Sequence, residues 1–306
     1  MKPYAIHPDF ALISRFQPPV HPAILPLSNL MLSVPMIRSD RQVHISRLNA
    51  PGWGGQPVSC LLFEPVGLSA SAPCLVYFHG GGFAVKAAPY HYQLARTYAL
   101  EAGCRVLFPD YRLAPKHPFP IPAEDCFGVY RWALEEAETL RIDPNRVAVG
   151  GDSAGGALAA ACALMARDRG LTLPCFQMLI YPVTDRRRTT SSMAEFEDTP
   201  LGNAEKNRAM WPLYLPDPTA GPVEYASPME ASSLKGLPPA YVETAEFDCL
   251  RDEGAAYARA LKAAGCPAEL YETRGTIHGY DFLLSSSVTK ESVARRVTAL
   301  RHHLHP

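Results

Sequence analysis

The 306-residue sequence has no long hydrophobic run and no excess of one charge. The longest stretch of small or apolar residues, 157–166, is too short to cross a bilayer. The N-terminus has no apolar run of signal-peptide length. With 29 basic and 30 acidic residues, the chain has no strong field that would attract nucleic acid or an anionic membrane surface. We therefore expect a cytoplasmic protein that binds neither nucleic acid nor membrane.

Closely spaced cysteine pairs are also missing. None of the eight cysteines has the C-x-x-C spacing of a zinc knuckle or a redox dithiol. Cys74 and Cys162 lie within apolar stretches and have the character of small core residues. We expect free thiols, with a disulfide as the minor alternative, and no metal site. The dense basic run 186–188 is too short for a polyanion-binding patch and is interpreted as a solvated loop.

Proline is abundant, with 30 residues, and several of these prolines interrupt the first forty positions. We expect the N-terminal segment 1–45 to form one or two short helices over the main body. The segment 184–225 has little apolar periodicity and several prolines, which is typical of an insertion at the strand-end side of a sheet. Together the two segments are predicted to form a small helical cap on a main domain that spans 46–306.

In the main domain, short apolar runs typical of buried strands alternate with helical stretches. A hairpin is predicted first, with strands at 42–48 and 58–63. Later strands are predicted at 74–78, 105–108, 146–149, 176–181, 240–244 and 268–273. Helices are predicted at 90–102, 123–138, 157–167, 253–264 and 291–304. This alternation predicts an α/β fold with a mostly parallel sheet, helices on both faces and ligands at the carboxyl edge of the strands.

Residues 151–155 read Gly-Asp-Ser-Ala-Gly and stand between a predicted strand and a predicted helix. A strand, a G-x-S-x-G turn and a helix form the arrangement that lifts a serine hydroxyl onto the tip of a sharp bend. Glycines are needed in such a bend because the neighbouring chain passes close. The segment therefore predicts a nucleophilic serine, Ser153.

A serine hydroxyl needs a base to take its proton and a third group to orient that base. In hydrolases with this arrangement, the acid and then the histidine follow the serine along the chain. His278 lies in a loop after a predicted strand, whereas the later histidines at 302, 303 and 305 lie in a tail that reads as an exposed helix. His278 is therefore the predicted base.

The acid is expected just after the strand that precedes the histidine. Asp248 lies past the end of the strand 240–244 and is favoured. Asp252 is explained as an acid at a helix N-terminus, where the helix dipole favours negative charge. Asp281 is a weaker alternative because it is close in sequence to His278.

The sequence His79-Gly80-Gly81-Gly82 follows the predicted strand 74–78. Consecutive glycines allow the backbone to turn and present its N–H groups without obstruction by side chains. A plain flexible turn is the alternative, but the position upstream of the serine is where hydrolases of this type build an oxyanion hole. The predicted donors are the N–H groups of Gly81, Gly82 and Ala154.

These motifs resemble those of the hormone-sensitive-lipase-like esterases, an α/β-hydrolase family. The matching segments are 79–82, 110–115, 117–120, 151–156, 248–254 and 278–279. The resemblance extends over about 58–282. It implies an α/β-hydrolase core with a helical cap, a triad of Ser153, His278 and Asp248, and hydrolysis of short- to medium-chain acyl esters without a cofactor. It also implies a possible homodimer.

Some predictions concern substrate choice. The candidates for lining the substrate pocket are Phe83, Tyr181, Trp211 and Tyr280, and for Tyr181 and Trp211 core packing is an open alternative. Four departures from the family pattern are expected to influence substrate choice: a cysteine at 249 in place of proline, a tyrosine at 280 in place of phenylalanine, an alanine at 157 in place of asparagine, and a lysine at 86 in place of a small residue. The first alternative function is an amidase or formamide hydrolase. The second is a non-catalytic binding protein, which resembles plant receptors of this fold; it is less favoured because those receptors lack the catalytic histidine, whereas this sequence has His278.

Overall fold

The computed structural model of the protein describes residues 4–13, 23–33 and 37–306. The strands of this part are β1 (Val43–Pro51), β2 (Pro57–Pro65), β3 (Ala72–Phe78), β4 (Arg105–Pro109), β5 (Ile142–Asp152), β6 (Gln177–Ile180), β7 (Ala240–Thr244) and β8 (Ala268–Glu272). The helices are α1 (Leu25–Met31), α2 (Pro89–Ala102), α3 (Ile121–Glu135), α4 (Ala154–Asp168), α5 (Ser191–Glu195), α6 (Ala204–Tyr214), α7 (Arg251–Ala263) and α8 (Ser287–Leu304).

The eight strands form one sheet in the order β1-β2-β4-β3-β5-β6-β7-β8. β2 pairs antiparallel with both of its neighbours, and every later pair is parallel. β3 and β4 are buried along their whole length, as expected for strands that are covered on both faces. One face packs against α2 and α8, and the other packs against α3, α4 and α7. The predicted α/β fold with a mostly parallel sheet is confirmed.

The strand order creates a crevice at the carboxyl edge of the sheet. β3 and β5 are neighbours, and the chain leaves β3 toward β4 on one side but leaves β5 toward β6 on the other side. Such a switch point separates the loops on either side and leaves room for a ligand. Phe78 at the end of β3 pairs with Gly151 near the end of β5. The loop after β3 and the turn after β5 therefore meet at this crevice.

The ends of the elements differ from the predicted ones by a few residues. β5 begins at Ile142 instead of residue 146, because Ile142 pairs with Ala72 across an irregular register. Polar residues and a proline at 143–145 interrupt the apolar run, so the extension depends on a tertiary contact that periodicity does not report. α8 begins at Ser287 instead of residue 291.

The two segments predicted to form a cap are in contact. The Tyr4 hydroxyl donates a hydrogen bond to Asp198 at 2.7 Å, which joins the N-terminal segment to the 184–225 insertion. The insertion contains α5 and α6. β1 begins at Val43, so the last residues of the segment 1–45 belong to the sheet. Within that segment, residues 1–3, 14–22 and 34–36 lie outside the described residues.

Two arginines of the basic run form ion pairs, and most of the cysteines are buried. Arg186 forms an ion pair with Glu230 at 2.6 Å, and Arg187 pairs with Asp185 at 2.8 Å. All eight cysteines are free, and all except Cys175 are buried. In the described ranges, no helix combines the length and the apolar character that a membrane span requires.

Candidate active site

Ser153 lies at the tip of the turn between β5 and α4. Its backbone has φ 55° and ψ −116°, a strained conformation that surrounding structure must hold in place. A Cβ at Gly155 would overlap the carbonyl group of Phe78, so this position requires glycine. The turn places the Ser153 side chain at the carboxyl edge of the sheet, on the wall of a cavity.

His278 and Asp248 form a hydrogen-bonded chain with Ser153. The Oγ of Ser153 lies 2.8 Å from Nε2 of His278, and Nδ1 of His278 lies 2.8 Å from Oδ2 of Asp248. Asp248 follows β7 and is fully buried, whereas His278 lies in the loop after β8. The structure thus brings together three side chains that are far apart in the sequence.

The two alternative acids have other partners. Asp252 forms an ion pair with the neighbouring Arg251 at 2.8 Å. Asp281 is buried and pairs with Arg296 at 2.9 Å. Among the described residues, the carboxylate that contacts His278 is that of Asp248.

The environment of His278 favours its protonated form. Burial by itself lowers the pKa of the imidazole, because a buried cation is poorly solvated. The negative charge of Asp248 and its hydrogen bond raise the pKa, and the net pKa of His278 lies above its ordinary value. Asp152 acts in the same direction, and the cation of Lys206 opposes it. The imidazole is therefore well suited to hold a proton transferred from a serine hydroxyl.

The glycine loop after β3 faces Ser153 across the cavity. Gly81 and Gly82 have φ 116° and 59°, and both line the cavity wall. In the described part of the chain, their N–H groups donate to no acceptor. Ala154 is the first residue of α4, and the N–H group at this position of a helix has no intrahelical acceptor. Three amide donors are thus available at the site.

Asp152 fixes the glycine loop relative to the serine turn. Its buried carboxylate accepts hydrogen bonds from the Tyr77 hydroxyl at 3.0 Å and from the Gly80 N–H at 3.1 Å. His91 Nε2 lies 3.1 Å from the other carboxylate oxygen. Because Asp152 immediately precedes Ser153, these contacts hold the loop and the serine in one rigid unit.

A buried ion cluster anchors the loop that carries His278. The Tyr280 hydroxyl donates to Glu243 at 2.5 Å, and Arg296 donates to Glu243 at 3.0 Å and to Asp281 at 2.9 Å. These four residues, Tyr280, Glu243, Arg296 and Asp281, are all fully buried. The cluster joins β7 and α8 to the residues just after His278, so it restrains the position of the imidazole.

The site opens into a cavity of about 310 Å³ between the carboxyl edge of the sheet and α6. The wall includes Ser153, His278 and Tyr181, whose ring meets the imidazole edge-on at 5.0 Å. Cys249 also lines it. The size lies at the lower end of the range for small-molecule sites.

Comparisons with known proteins agree with this geometry. A family model described as alpha/beta hydrolase fold matches residues 75–282. The chain is 40% identical over 250 residues to carboxylesterase NlhH of Mycobacterium tuberculosis, which covers 80% of this chain and 78% of that protein. It is 34% identical over 273 residues to ethyl acetate hydrolase of Pseudomonas putida, with 87% and 85% covered. The chain belongs to the hormone-sensitive-lipase-like esterase family.

The fold similarity extends over the whole esterase. A bacterial heroin esterase superimposes with a TM-score of 0.90 and 38% identity, and 99% of each chain is covered. The family resemblance predicted from the sequence motifs is confirmed. Because the chain is this similar to carboxylesterases over most of its length, the protein is a carboxylic ester hydrolase.

Three of the four aromatic residues predicted for the pocket of this esterase lie elsewhere. Tyr181 lines the cavity, but Phe83, Trp211 and Tyr280 do not. Phe83 is buried and stacks on Tyr214 with ring centroids 3.6 Å apart, and Trp211 packs beside the same pair. Tyr280 is drawn into the buried ion cluster by its hydroxyl group. Large rings beside a motif pack into the core because this buries the most apolar area.

Sequence reasoning missed the part of the 184–225 insertion that faces the cavity. The side chains of α6 and its N-cap that line the wall are Asn203, Lys206, Asn207, Met210 and Leu213. Their spacing of three and four residues corresponds to one face of a helix. This signal is visible in the sequence, but it mixes polar with apolar residues and is therefore not an apolar stripe.

Two other predicted features lie away from the cavity wall. Lys86 directs its ammonium group to Asp110 at 2.7 Å and borders a different, smaller hollow. His302 and His303 border an open groove of about 800 Å³ between α8 and the first residues of β7 and β8. That groove lies at the amino edge of the sheet, opposite Ser153.

Proposed function

We propose that this esterase hydrolyses short- to medium-chain acyl esters through an acyl-enzyme intermediate on Ser153. The observation that carries the proposal is the hydrogen-bonded chain from Ser153 through His278 to Asp248 at the wall of the cavity. Oγ attacks the ester carbonyl carbon while Nε2 of His278 takes the hydroxyl proton. Asp248 accepts the hydrogen bond from Nδ1–H and stabilises the imidazolium that forms.

The backbone supplies the oxyanion hole in this proposal. The N–H groups of Gly81, Gly82 and Ala154 donate to the oxygen that becomes negative when the tetrahedral intermediate forms. When the intermediate collapses, the bond between the acyl carbon and the alcohol oxygen breaks, and His278 gives its proton to the leaving alcohol. His278 then takes a proton from water as the water oxygen attacks the acyl-serine, the bond between the acyl carbon and Oγ breaks, and His278 returns its proton to Oγ as the acid is released.

The cavity volume supports the predicted range of acyl chains. About 310 Å³ must hold the reacting ester group and at least part of both its substituents. One relative is named ethyl acetate hydrolase, which supports a preference for small acyl groups. A series of p-nitrophenyl esters from acetate to dodecanoate tests the range: we expect kcat/KM to be highest for short to medium chains. A maximum at the longest chain would contradict the proposal.

The amidase alternative is tested with matched acyl groups. We expect butyrate esters to be hydrolysed far faster than the corresponding anilide, because the proposed substrate is an ester. A faster anilide reaction would favour an amidase on the same fold. No turnover of either compound, with binding retained, would favour the binding-protein alternative.

The intermediate itself is tested by mass spectrometry. After the wild-type protein is mixed with p-nitrophenyl acetate and quenched in acid, one acetyl group should be found on the peptide that contains Ser153. The Ser153→Ala variant serves as the control and should remain unmodified there. Rapid turnover by the wild type without any acyl adduct under single-turnover conditions would contradict the acyl-enzyme route.

Three further predictions accompany the proposal. We propose a homodimer, which sedimentation velocity of the purified protein tests. We propose that the protein acts in the cytoplasm, which cell fractionation tests. We also propose that 1–45 and 184–225 act together as a cap; the hydrogen bond between Tyr4 and Asp198 supports their association.

A further inference from the structure

The cavity-facing side of α6 changes in polarity along its length. Asn203, Lys206 and Asn207 lie at the N-terminal end, and Met210 and Leu213 follow one and two turns later. The two ends lie over different parts of the reaction site. A Cβ at Gly202, just before the helix, would overlap the His278 imidazole. The polar end of α6 therefore lies beside His278.

The apolar end of α6 lies on the other side of the reaction site. A Cβ at Gly82 would lie 3.4 Å from Cγ of Met210. Gly82 belongs to the glycine loop that faces Ser153 across the cavity. The helix thus crosses the site with its polar residues above the base and its apolar residues above the oxyanion loop.

Lys206 occupies a position where helix electrostatics disfavour a cation. It is the third residue of α6, and its N–H donates to the N-cap side chain of Asn203 at 3.0 Å. The positive end of the helix dipole favours Asp or Glu in the first turn. Among the described residues, no carboxylate forms an ion pair with the Lys206 ammonium group, which donates instead to the Leu201 carbonyl at 2.5 Å. Local helix stability does not explain this lysine.

Asn207 provides an independent sign of a polar ligand. The residue is 7% exposed, lines the cavity, and its Oδ1 has no hydrogen-bond partner in the described part of the chain. A buried polar atom without a partner is costly unless a ligand or water satisfies it. Oδ1 is an acceptor and needs an O–H or N–H donor from the ligand, whereas the Lys206 ammonium group at the same end of the cavity is a cation and favours an anionic group.

The chemistry assigns this polar end to one part of the substrate. His278 gives its proton to the leaving alcohol, so the alcohol part of the ester must extend on the His278 side. We propose that Lys206 and Asn207 form a subsite for esters whose alcohol part carries a carboxylate and a hydroxyl group, such as O-acylated dihydroxy acids, with the carboxylate on Lys206 and the hydroxyl donating to Oδ1 of Asn207. The inference depends on the function proposed above. A carboxylate replaces the Leu201 carbonyl as the partner of the ammonium group and forms a charge-assisted hydrogen bond.

The test compares two acetate esters that differ in charge at one position. 4-Acetoxybenzoate carries a carboxylate on the alcohol part, and 4-acetoxybenzamide is its neutral counterpart. The measured quantity is the ratio of their kcat/KM values in the wild type and in each variant. Because the same two esters are compared throughout, differences in leaving-group acidity cancel. Thermal unfolding of each variant establishes that it is folded.

The variants separate the charge of Lys206 from its hydrogen bond to the Leu201 carbonyl. We expect Lys206→Met and Lys206→Gln to lower the ratio roughly 10- to 100-fold, which is the range of a charge-assisted hydrogen bond. Lys206→Arg keeps the cation and should keep the ratio within about threefold of the wild type. Lys86→Met is the matched control, because Lys86 pairs with Asp110 outside the cavity, and its ratio should equal that of the wild type.

A ratio that is unchanged in both Lys206→Met and Lys206→Gln would overturn the proposal. Loss of discrimination in Lys206→Arg as well would also overturn it, since the cation is then not the cause. The acyl side is tested by the kcat/KM ratio of p-nitrophenyl hemisuccinate, which carries a carboxylate on its acyl group, to neutral p-nitrophenyl pentanoate. If the Lys206 substitutions change this ratio more than the ratio of the two acetate esters, the assignment of the subsite to the alcohol part is contradicted. If the wild type hydrolyses none of these esters, the proposed function fails, and that outcome is distinct from an unchanged ratio.

Discussion

Gly202 of the 184–225 segment packs so closely against His278 that a Cβ at this glycine would overlap three atoms of the histidine side chain. The contact involves the residue proposed as the base, so the 184–225 segment forms part of the wall around the imidazole. The turn that carries Gly202 is held by the Thr199 hydroxyl, which donates to the Gly202 carbonyl at 2.9 Å. The position of this turn and the position of the His278 imidazole are therefore physically linked.

Gly202→Ala should lower kcat/KM for p-nitrophenyl butyrate on the order of 100-fold, because displacement of a catalytic group by about 1 Å costs that much. The matched control is Gly221→Ala in the same segment, where the added Cβ comes no closer than 3.2 Å to the edge of the Phe119 ring. This control should stay within a few-fold of the wild type. Equal rates in the two variants would show that the Gly202 contact does not position His278.

The pH profile of kcat/KM should fall on the acid side with a midpoint above the ordinary histidine pKa of about 6.5. Neutral His278 is the active form, because the imidazolium cannot accept the serine proton. Burial lowers the pKa of His278, but the charge and hydrogen bond of Asp248 together with the charge of Asp152 leave the net pKa raised, so activity is lost as the pH falls through this raised value. A rate that is flat from about pH 5 to 8 would contradict His278 as the base.

Asp248→Asn should change both the rate and the profile. Without the carboxylate, the imidazole loses its orienting partner, and kcat should fall on the order of 10³- to 10⁴-fold. Because Asp248 raises the pKa of His278, the remaining activity should extend to lower pH than in the wild type. Measurement of kcat/KM across pH in both proteins shows whether the acid-side midpoint moves to lower pH in the variant. A shift toward higher pH would contradict the role given to Asp248.

Arg296→Met should destabilise the protein by about 3–5 kcal/mol, because it leaves the buried carboxylates of Glu243 and Asp281 without a cation. Arg295→Met on the same helix is the matched control. Arg295 is half exposed and pairs with Glu291 at the surface, so its loss should cost no more than about 1 kcal/mol. Urea unfolding followed by circular dichroism measures both. Equal stabilities would show that the buried cluster contributes little.

The sequence was most informative where backbone geometry limits the choice of residue. The turn around Ser153 needs glycine at 155 because the Phe78 carbonyl lies against it, and this requirement leaves a motif that is visible without coordinates. Chain order and strand ends then selected His278 and Asp248 over their alternatives. The parallel sheet followed from the alternation of buried strands and helices.

The cavity wall could not be predicted in the same way. Phe83 and Tyr280 are next to motifs, but packing against Tyr214 and the buried Glu243 turns them away from the cavity. Lys206 and Asn207 reach it only because the cap folds back over the sheet edge. Such contacts depend on the tertiary path of the chain, and neither local propensity nor motif spacing encodes them.

The most direct test of the account is the Ser153→Ala variant, assayed for hydrolysis of p-nitrophenyl butyrate beside the wild type at neutral pH. The substitution removes one oxygen atom and leaves the fold and the amide donors in place. We expect kcat to fall on the order of 10⁴-fold or more, because the nucleophile and its base act as a unit. Retention of wild-type turnover by a folded Ser153→Ala protein would contradict the central claim that Ser153 attacks the ester.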